Sequence, residues 1–321
     1  MREDAVLFGE MKSLVGIVTD PPEEKGNHHR PAVILLNAGM VHRVGPGGIH
    51  VKIARTLAAM GFVVLRFDFS GIGDSAVRHD NLPFDKSTVR ETQAAMDFLQ
   101  ATRGVGQFIL MGGCSGARIS LQAACCDPRV IGALPINLPV PEDDDGNPDQ
   151  IHRSTAYYYW RFAIFNLESW RKLVTGKVDF RRIFRTLKFQ VRCRLTSKRK
   201  VSSESLQFAA NLRLLANRGV QLAFVYSESD SRLNDLYEAV RGALEKSSVP
   251  RNGRIEIIPR SDHTFSALSD QEGLLKKICE LIAATATATL SNQLDRSNVV
   301  VASAPFDDRP CFTRSGLAPP S

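Results

Sequence analysis

Gly112, Gly113, Cys114, Ser115 and Gly116 spell GxCxG between an apolar run, QFILM, and a segment rich in helix formers, SGARISLQAACC. A strand, a sharp turn and a helix in that order lift the side chain at the turn clear of the backbone. Small residues two before and two after it let the helix fold back against the strand. Cys114 stands at that turn, where a thiol, once deprotonated, attacks carbonyl carbon. A register shifted to Gly113, Ser115 and Ala117 would put Ser115 there instead. Taken alone, Cys114 is a small buried hydrophobe in a tight turn. Two residues downstream argue for more: Asp230 in VYSESD and His263 in IIPRSDHTF each follow a later apolar run. Nucleophile, acid and histidine, in that chain order, is one of the orders in which catalytic triads occur. Read singly, Asp230 is a helix N-cap before RLNDL and His263 a solvated loop histidine, while Asp235, inside that helix, competes for the acid role.

The elements that would hold these residues alternate regularly. PAVILLNAG (31–39) reads as a buried strand that opens into a glycine-rich loop, MVHRVGPGG, and IHVKIARTLAAMG as a helix stopped by Gly61. FVVLRFDF (62–69) is the next strand and SGIGDS its turn. From Thr88, which forms a capping box with Glu91, the pattern predicts a helix with Val89, Met96 and Leu99 inward. QFILMGG, VIGALPINLPV, VQLAFVYS (220–227) and GRIEIIP (253–259) read as strands, and RLNDLYEAVRGALEKS and DQEGLLKKICELIAA as helices. Strands and helices alternating at this spacing imply an α/β fold, a mostly parallel sheet covered on both faces, with its functional loops at the carboxyl ends of the strands.

The chain of 321 residues, with 43% hydrophobic and 23% charged residues, has the composition of a folded globular protein, which excludes collagen, a wholly disordered chain and a disulfide-stapled miniprotein. Its net charge of +7 is concentrated: residues 151–200 hold 14 Lys or Arg against only Glu168 and Asp179, and the rest of the chain is net acidic. The division that follows is a core over 1–140, a basic helical cap inserted over 141–210, core again over 211–287, and a disordered tail over 288–321. Cysteines 114, 125, 126, 193, 279 and 311 show no CxxC spacing, so free thiols and no metal site are expected. Gly71, Gly73 and Ala76 fit GxGxxA after a strand, but no helix pattern follows, and the loop after 39 lacks the GK[ST] of a Walker phosphate loop; no cofactor is expected. Of the other histidines, His28 and His29 fall in a polar loop, His42 and His50 flank the glycine loop, His79 follows a turn and His152 belongs to the cap. No stretch nears the roughly 18 apolar residues of a membrane span, and MREDAVLFGEMK lacks a secretory apolar run, so a cytoplasmic location is expected. The basic cap, with Arg181, Arg182 and Arg185 off an apolar stripe of Phe180, Ile183, Phe184, Leu187 and Val191, suits an anionic membrane surface or an acidic carrier. No nucleic-acid module accompanies it.

With these motifs in place the chain resembles the α/β-hydrolase superfamily over about residues 5–287. LLNAG is similar to the loop after its third strand, RFDFSGIGDS to the turn after its fourth, GGCSG to its nucleophile elbow, SESD to its acid loop and SDHTF to its histidine loop. NAGMVHRVGPGG, RFDFSGIGDS and YSESD look more narrowly like the bacterial hydrolases associated with exosortase and exopolysaccharide systems, often labelled S33-aminopeptidase-like. The resemblance implies an oxyanion hole made by the backbone N–H of Ser115 and that of Gly39 or Met40, with Asn37 and Ala38 standing where His-Gly is usual. The expected chemistry is cleavage of an ester or thioester of a small-molecule or lipid-linked substrate: His263, oriented by Asp230, takes the Cys114 proton and a covalent acyl-enzyme forms. Acyl transfer by the same triad, and a non-catalytic protein that binds through its cap, are the alternatives.

Overall fold

The computed structural model describes residues 1–25, 30–139, 203–230 and 253–297. Nearly all of the proposed cap, the RLNDLYEAVRGALEKS segment with Asp235, and His28, His29 and His152 lie outside the described residues.

The element order is β1 (Arg2–Phe8), β2 (Leu14–Asp20), β3 (Ala32–Leu36), α1 (Ile49–Ala59), β4 (Val64–Phe67), α2 (Phe84–Arg103), β5 (Phe108–Gly113), α3 (Ser115–Cys126), β6 (Val130–Ile136), α4 (Ser203–Asn217), β7 (Gln221–Ser227), β8 (Gly253–Ile258) and α5 (Leu268–Ser297). The strands form one sheet of eight in the order β1-β2-β4-β3-β5-β6-β7-β8. β1 and β2 are antiparallel, as are β2 and β4, and every other pair is parallel. Alternation along β3 divides the core in two. Ala32, Ile34 and Leu36 face α2, α3 and α4 together with Leu65, Phe67, Phe108 and Leu110. Val33 and Leu35 face α1 and α5 with Val64, Ile109 and Met111. All five β3 residues are buried, which is why the strand reads as an unbroken apolar run.

Three expectations change. α2 begins at Phe84 after Pro83, so Thr88 is not a cap: its hydroxyl donates back to Phe84 O at 2.9 Å, one turn earlier in the helix. Glu91 instead accepts the Ser70 N–H at 2.9 Å, and burial pushes its carboxyl above the ordinary value against that bond. The inward stripe Val89, Met96 and Leu99 is buried as the spacing requires. α5 runs on to Ser297, through the first ten residues of the expected disordered tail, because ATATATL continues the helix: Thr285 and Thr287 donate to Leu281 O and Ala283 O, and Thr285 and Ala286 are buried. β1 and β2, absent from the sequence reading, extend the sheet beyond β4. Their signal is faint, since β1 is largely exposed and β2 turns Gly16 and Thr19 inward among its apolar residues.

Candidate active site

The turn between β5 and α3 is shaped by side chains that are missing. Cys114 has φ 51° and ψ −114°, a region that L-residues rarely occupy and that costs about 1–3 kcal/mol unless its surroundings impose it. They do. A Cβ on Gly112 would lie 2.6 Å from the Gly116 carbonyl carbon, and one on Gly116 would lie 2.5 Å from Asn37 O. Gly113 is different, with only Ala38 Cβ at 3.7 Å. The close approaches therefore fall two residues either side of Cys114, the register centred on Cys114 rather than the one centred on Ser115. The Cys114 N–H donates to Ile136 O at 3.0 Å, tying the turn to the end of β6.

Asp230 and His263 follow the ends of β7 and β8, and the structure joins them. His263 Nδ1 and Asp230 Oδ2 are 2.8 Å apart, with the Asp230 side chain 2% and that of His263 38% exposed. The buried carboxylate engages Nδ1 and so sets the orientation of the ring. The loop around the ring is fixed by side chains. Asp262 accepts from Thr264 N–H (2.8 Å), Thr264 Oγ1 (3.0 Å) and Ser266 N–H (3.2 Å), and from Ser266 Oγ in a short bond. The Ser266 hydroxyl first, then Thr264, hold the Asp262 carboxyl down at about 2. Ser261 Oγ donates to Ile258 O at 2.7 Å, and the Ser229 N–H to Ser261 O at 3.2 Å, binding the acid loop to the histidine loop.

Across the site lies the loop that follows β3. Asn37, buried where the superfamily pattern has histidine, donates to Val41 O (2.7 Å) and Asp68 Oδ1 (3.1 Å) and accepts the Phe69 N–H (3.0 Å). Its amide thus clamps the loop to the end of β4. Asp68, wholly buried, also takes the Arg43 N–H (2.6 Å) and a short bond from Arg43 Nη1, and Arg43 Nη2 reaches Asp74 Oδ2 at 2.7 Å. Burial works against the Arg43 charge, but its bonds to Asp74 and Asp68 prevail and raise its pKa. His42, Asp68 and Asp74 bring their ligand atoms within 4.8 Å of one another, yet the Arg43 guanidinium already bridges the two carboxylates. This packing accounts for the second glycine of the GxGxxA pattern: Gly73, at φ 54°, leaves only 2.2 Å between an added Cβ and Asp68 Oδ2. His50 is buried under Gly45, and burial lowers its pKa to about 4, so it is neutral at ordinary pH.

Of the expected oxyanion donors, Ser115 heads α3, where the first amides of a helix have no intrahelical acceptor. The Gly39 N–H donates to Ser115 Oγ at 2.7 Å, while Met40 is 76% exposed at the mouth of the loop. Sequence reasoning noted Asn37 only as a departure from the usual His-Gly and missed Asp262 and Asn137. The last stands just past β6 at φ 47°, and its Nδ2 donates to His263 O at 2.8 Å. An asparagine directly after an apolar run, where left-handed backbone is best tolerated by glycine and asparagine, was the available signal.

A family described as the alpha/beta hydrolase fold matches residues 31–213. The chain belongs to this family. Among solved structures it is similar to proline iminopeptidase of Mycobacterium smegmatis, at 14% identity and a TM-score of 0.53 over 90% of this chain and 100% of that one. It is likewise similar to the alpha/beta hydrolase GrgF of Penicillium sp. sh18, at 17% identity and a TM-score of 0.55 over 89% and 100%. At such identities the likeness is one of fold. No curated protein gives a significant match to the sequence. Among the described residues no helix is long and apolar enough to cross a membrane.

Proposed function

We propose that this member of the family cleaves an ester or thioester bond by cysteine-based acyl transfer, with Cys114 as nucleophile, His263 as general base and acid, and Asp230 as the group that orients and charges the histidine. The observation that carries the reading is the 2.8 Å contact of His263 Nδ1 with the buried Asp230 carboxylate, in chain order behind a cysteine held at φ 51° by flanking glycines. His263 takes the thiol proton; the thiolate adds to the substrate carbonyl; the oxyanion accepts hydrogen bonds from Ser115 N–H and from Met40 or Gly39 N–H, at roughly 3 kcal/mol for each donor. The tetrahedral adduct collapses to a thioester as His263 returns the proton to the leaving alcohol or thiol, and water attacks the thioester in the second half. Because Gly39 N–H already has Ser115 Oγ as acceptor, Met40 is the donor with the freer geometry. A panel of p-nitrophenyl esters and acyl thioesters, with and without an alcohol acceptor, tests the reaction. Cys114→Ala should abolish turnover, Ser115→Ala, which keeps its N–H, should retain most of it, and iodoacetamide should label Cys114 ahead of the other cysteines. Labelling or loss of activity centred on Ser115 would overturn the assignment.

The basic stretch over 151–200 supports docking on an anionic membrane surface or acidic carrier, since clustered Lys and Arg attract such a surface and salt screens the attraction. Vesicles containing anionic lipid should sediment the protein at low salt and release it at high salt, and Arg181, Arg182 and Arg185 changed together to Glu should end the effect. Equal partitioning onto neutral vesicles would reject it.

A further inference from the structure

The proposed triad is drawn from β5, β7 and β8, and β6, which lies between β5 and β7, contributes none of it. Yet the last residue of β6 and the one just past it touch the two sides. The Ile136 carbonyl receives the Cys114 N–H at 3.0 Å, and the very next residue, Asn137, turns left-handed at φ 47° and is 2% exposed. Its backbone N–H donates to Val225 O at 2.8 Å. Its Oδ1 accepts the Ser227 N–H at 2.9 Å, and its Nδ2 donates to the His263 carbonyl at 2.8 Å. The two partners settle the orientation of the amide, since an N–H requires the oxygen and a carbonyl requires the nitrogen. Two consecutive residues thus connect the turn that carries Cys114 to the loop that carries His263, and Asn137 is the member of the pair that works through its side chain.

We infer that Asn137 is a positioning residue that sets His263 at working distance from Cys114. The inference rests on the cysteine reading above. It follows from what each bond controls: Ser227 N–H and Val225 O fix the end of β7, three residues before Asp230, and His263 O fixes the backbone from which the imidazole projects. Without the amide, Asp230 still holds the ring, but the Asp230–His263 pair is no longer registered against Cys114. Misplacement of a proton acceptor by about 1 Å costs on the order of 100-fold in rate.

The test separates the two readings. Iodoacetamide alkylation of Cys114, followed by peptide mass spectrometry across pH, reports the thiol's apparent pKa without any substrate, and kcat and KM are taken on the p-nitrophenyl ester that the wild type turns over best. In the wild type, His263→Ala should move the alkylation profile; if it does not, the cysteine reading fails and the positioning role with it. Given that coupling, Asn137→Gly keeps the left-handed backbone and removes the amide, whereas Asn137→Asp keeps the shape and the acceptor for Ser227 but sets an oxygen against His263 O. Both should shift the Cys114 profile toward that of His263→Ala and lower kcat by about 10- to 100-fold with KM little changed. Should either variant fold poorly, folded monomer isolated by size exclusion is alkylated at once, and circular dichroism confirms that the sample is folded. Wild-type profiles and kcat in both variants would overturn the role of Asn137 while leaving the cysteine mechanism in place.

Discussion

The turn at Cys114 and the loop at His263 are linked through Ile136 and Asn137 and are held by opposite means. At the turn the decisive groups are hydrogens: Gly112 and Gly116 bring two backbones within a distance that any Cβ would forbid. At the loop the decisive groups are polar side chains: Asp262 gathers Thr264 and Ser266, Ser261 returns to Ile258, and Asn137 reaches in from just past the end of β6. A sterically imposed conformation admits few substitutions and fails abruptly. A hydrogen-bonded one loosens by degrees, because each bond contributes about 1 kcal/mol net and water can replace it at the surface.

Removing the groups proposed to react has the largest expected consequence. Cys114→Ala should lower kcat/KM at least about 1,000-fold, and His263→Ala combined with Asp230→Asn should cost little more than His263→Ala alone, as residues acting as one unit do. Additive losses, measured by steady-state kinetics on the best ester, would mean that Asp230 and His263 work separately despite their 2.8 Å contact. The steric side is sharpened by two neighbouring glycines. Gly112→Ala, with its added carbon 2.6 Å from the Gly116 backbone, should destabilise by roughly 3 kcal/mol in urea unfolding. Gly113→Ala meets only Ala38 at 3.7 Å and should change stability by no more than about 0.5 kcal/mol. Equal effects would remove the steric account of the turn.

The smallest effect belongs to the polar loop and depends on pH. The folded-state pKa of Asp262 is depressed from 3.8 to about 2, so the carboxylate contributes stability that is complete above its unfolded value and is lost as pH falls from about 4 toward 2. Asp262→Asn lacks that titration. The difference in thermal midpoint between wild type and Asp262→Asn should be constant at neutral pH and shrink across that acid window; a difference independent of pH would assign the loop's order to packing instead.

The same contrast explains what could be read from the chain. Steric requirements leave a trace in residue type, so GxCxG and the apolar runs of β3, β5 and β7 were legible at sight. The placing of Asp230 and His263 after two successive strands was legible as well, because each follows an apolar run. Hydrogen-bonded positioning leaves almost none: an asparagine such as Asn37 or Asn137 looks the same in any polar loop, and its partners are 31 and 126 residues away. Local patterns also misled where one spacing serves two conformations. Thr88-x-x-Glu91 is a capping box at a helix start, but within α2 the same threonine bonds back to Phe84 O. ATATATL has the monotony of a tail, yet Thr285 fits against Gly132, where an added Cβ would lie 2.6 Å from its methyl. The low polarity contrast of β1 and β2 hid the antiparallel side of the sheet altogether.

The backbone at residue 114 has one more consequence, for how such a protein can change its chemistry. Its unusual torsions are enforced by Gly112, Gly116 and the Ile136 carbonyl, and none of those contacts involves sulfur. The turn is therefore a socket, indifferent to which small side chain it presents. If Cys114 is the nucleophile proposed above, its exchange for serine would alter the reacting atom and leave these backbone contacts in place.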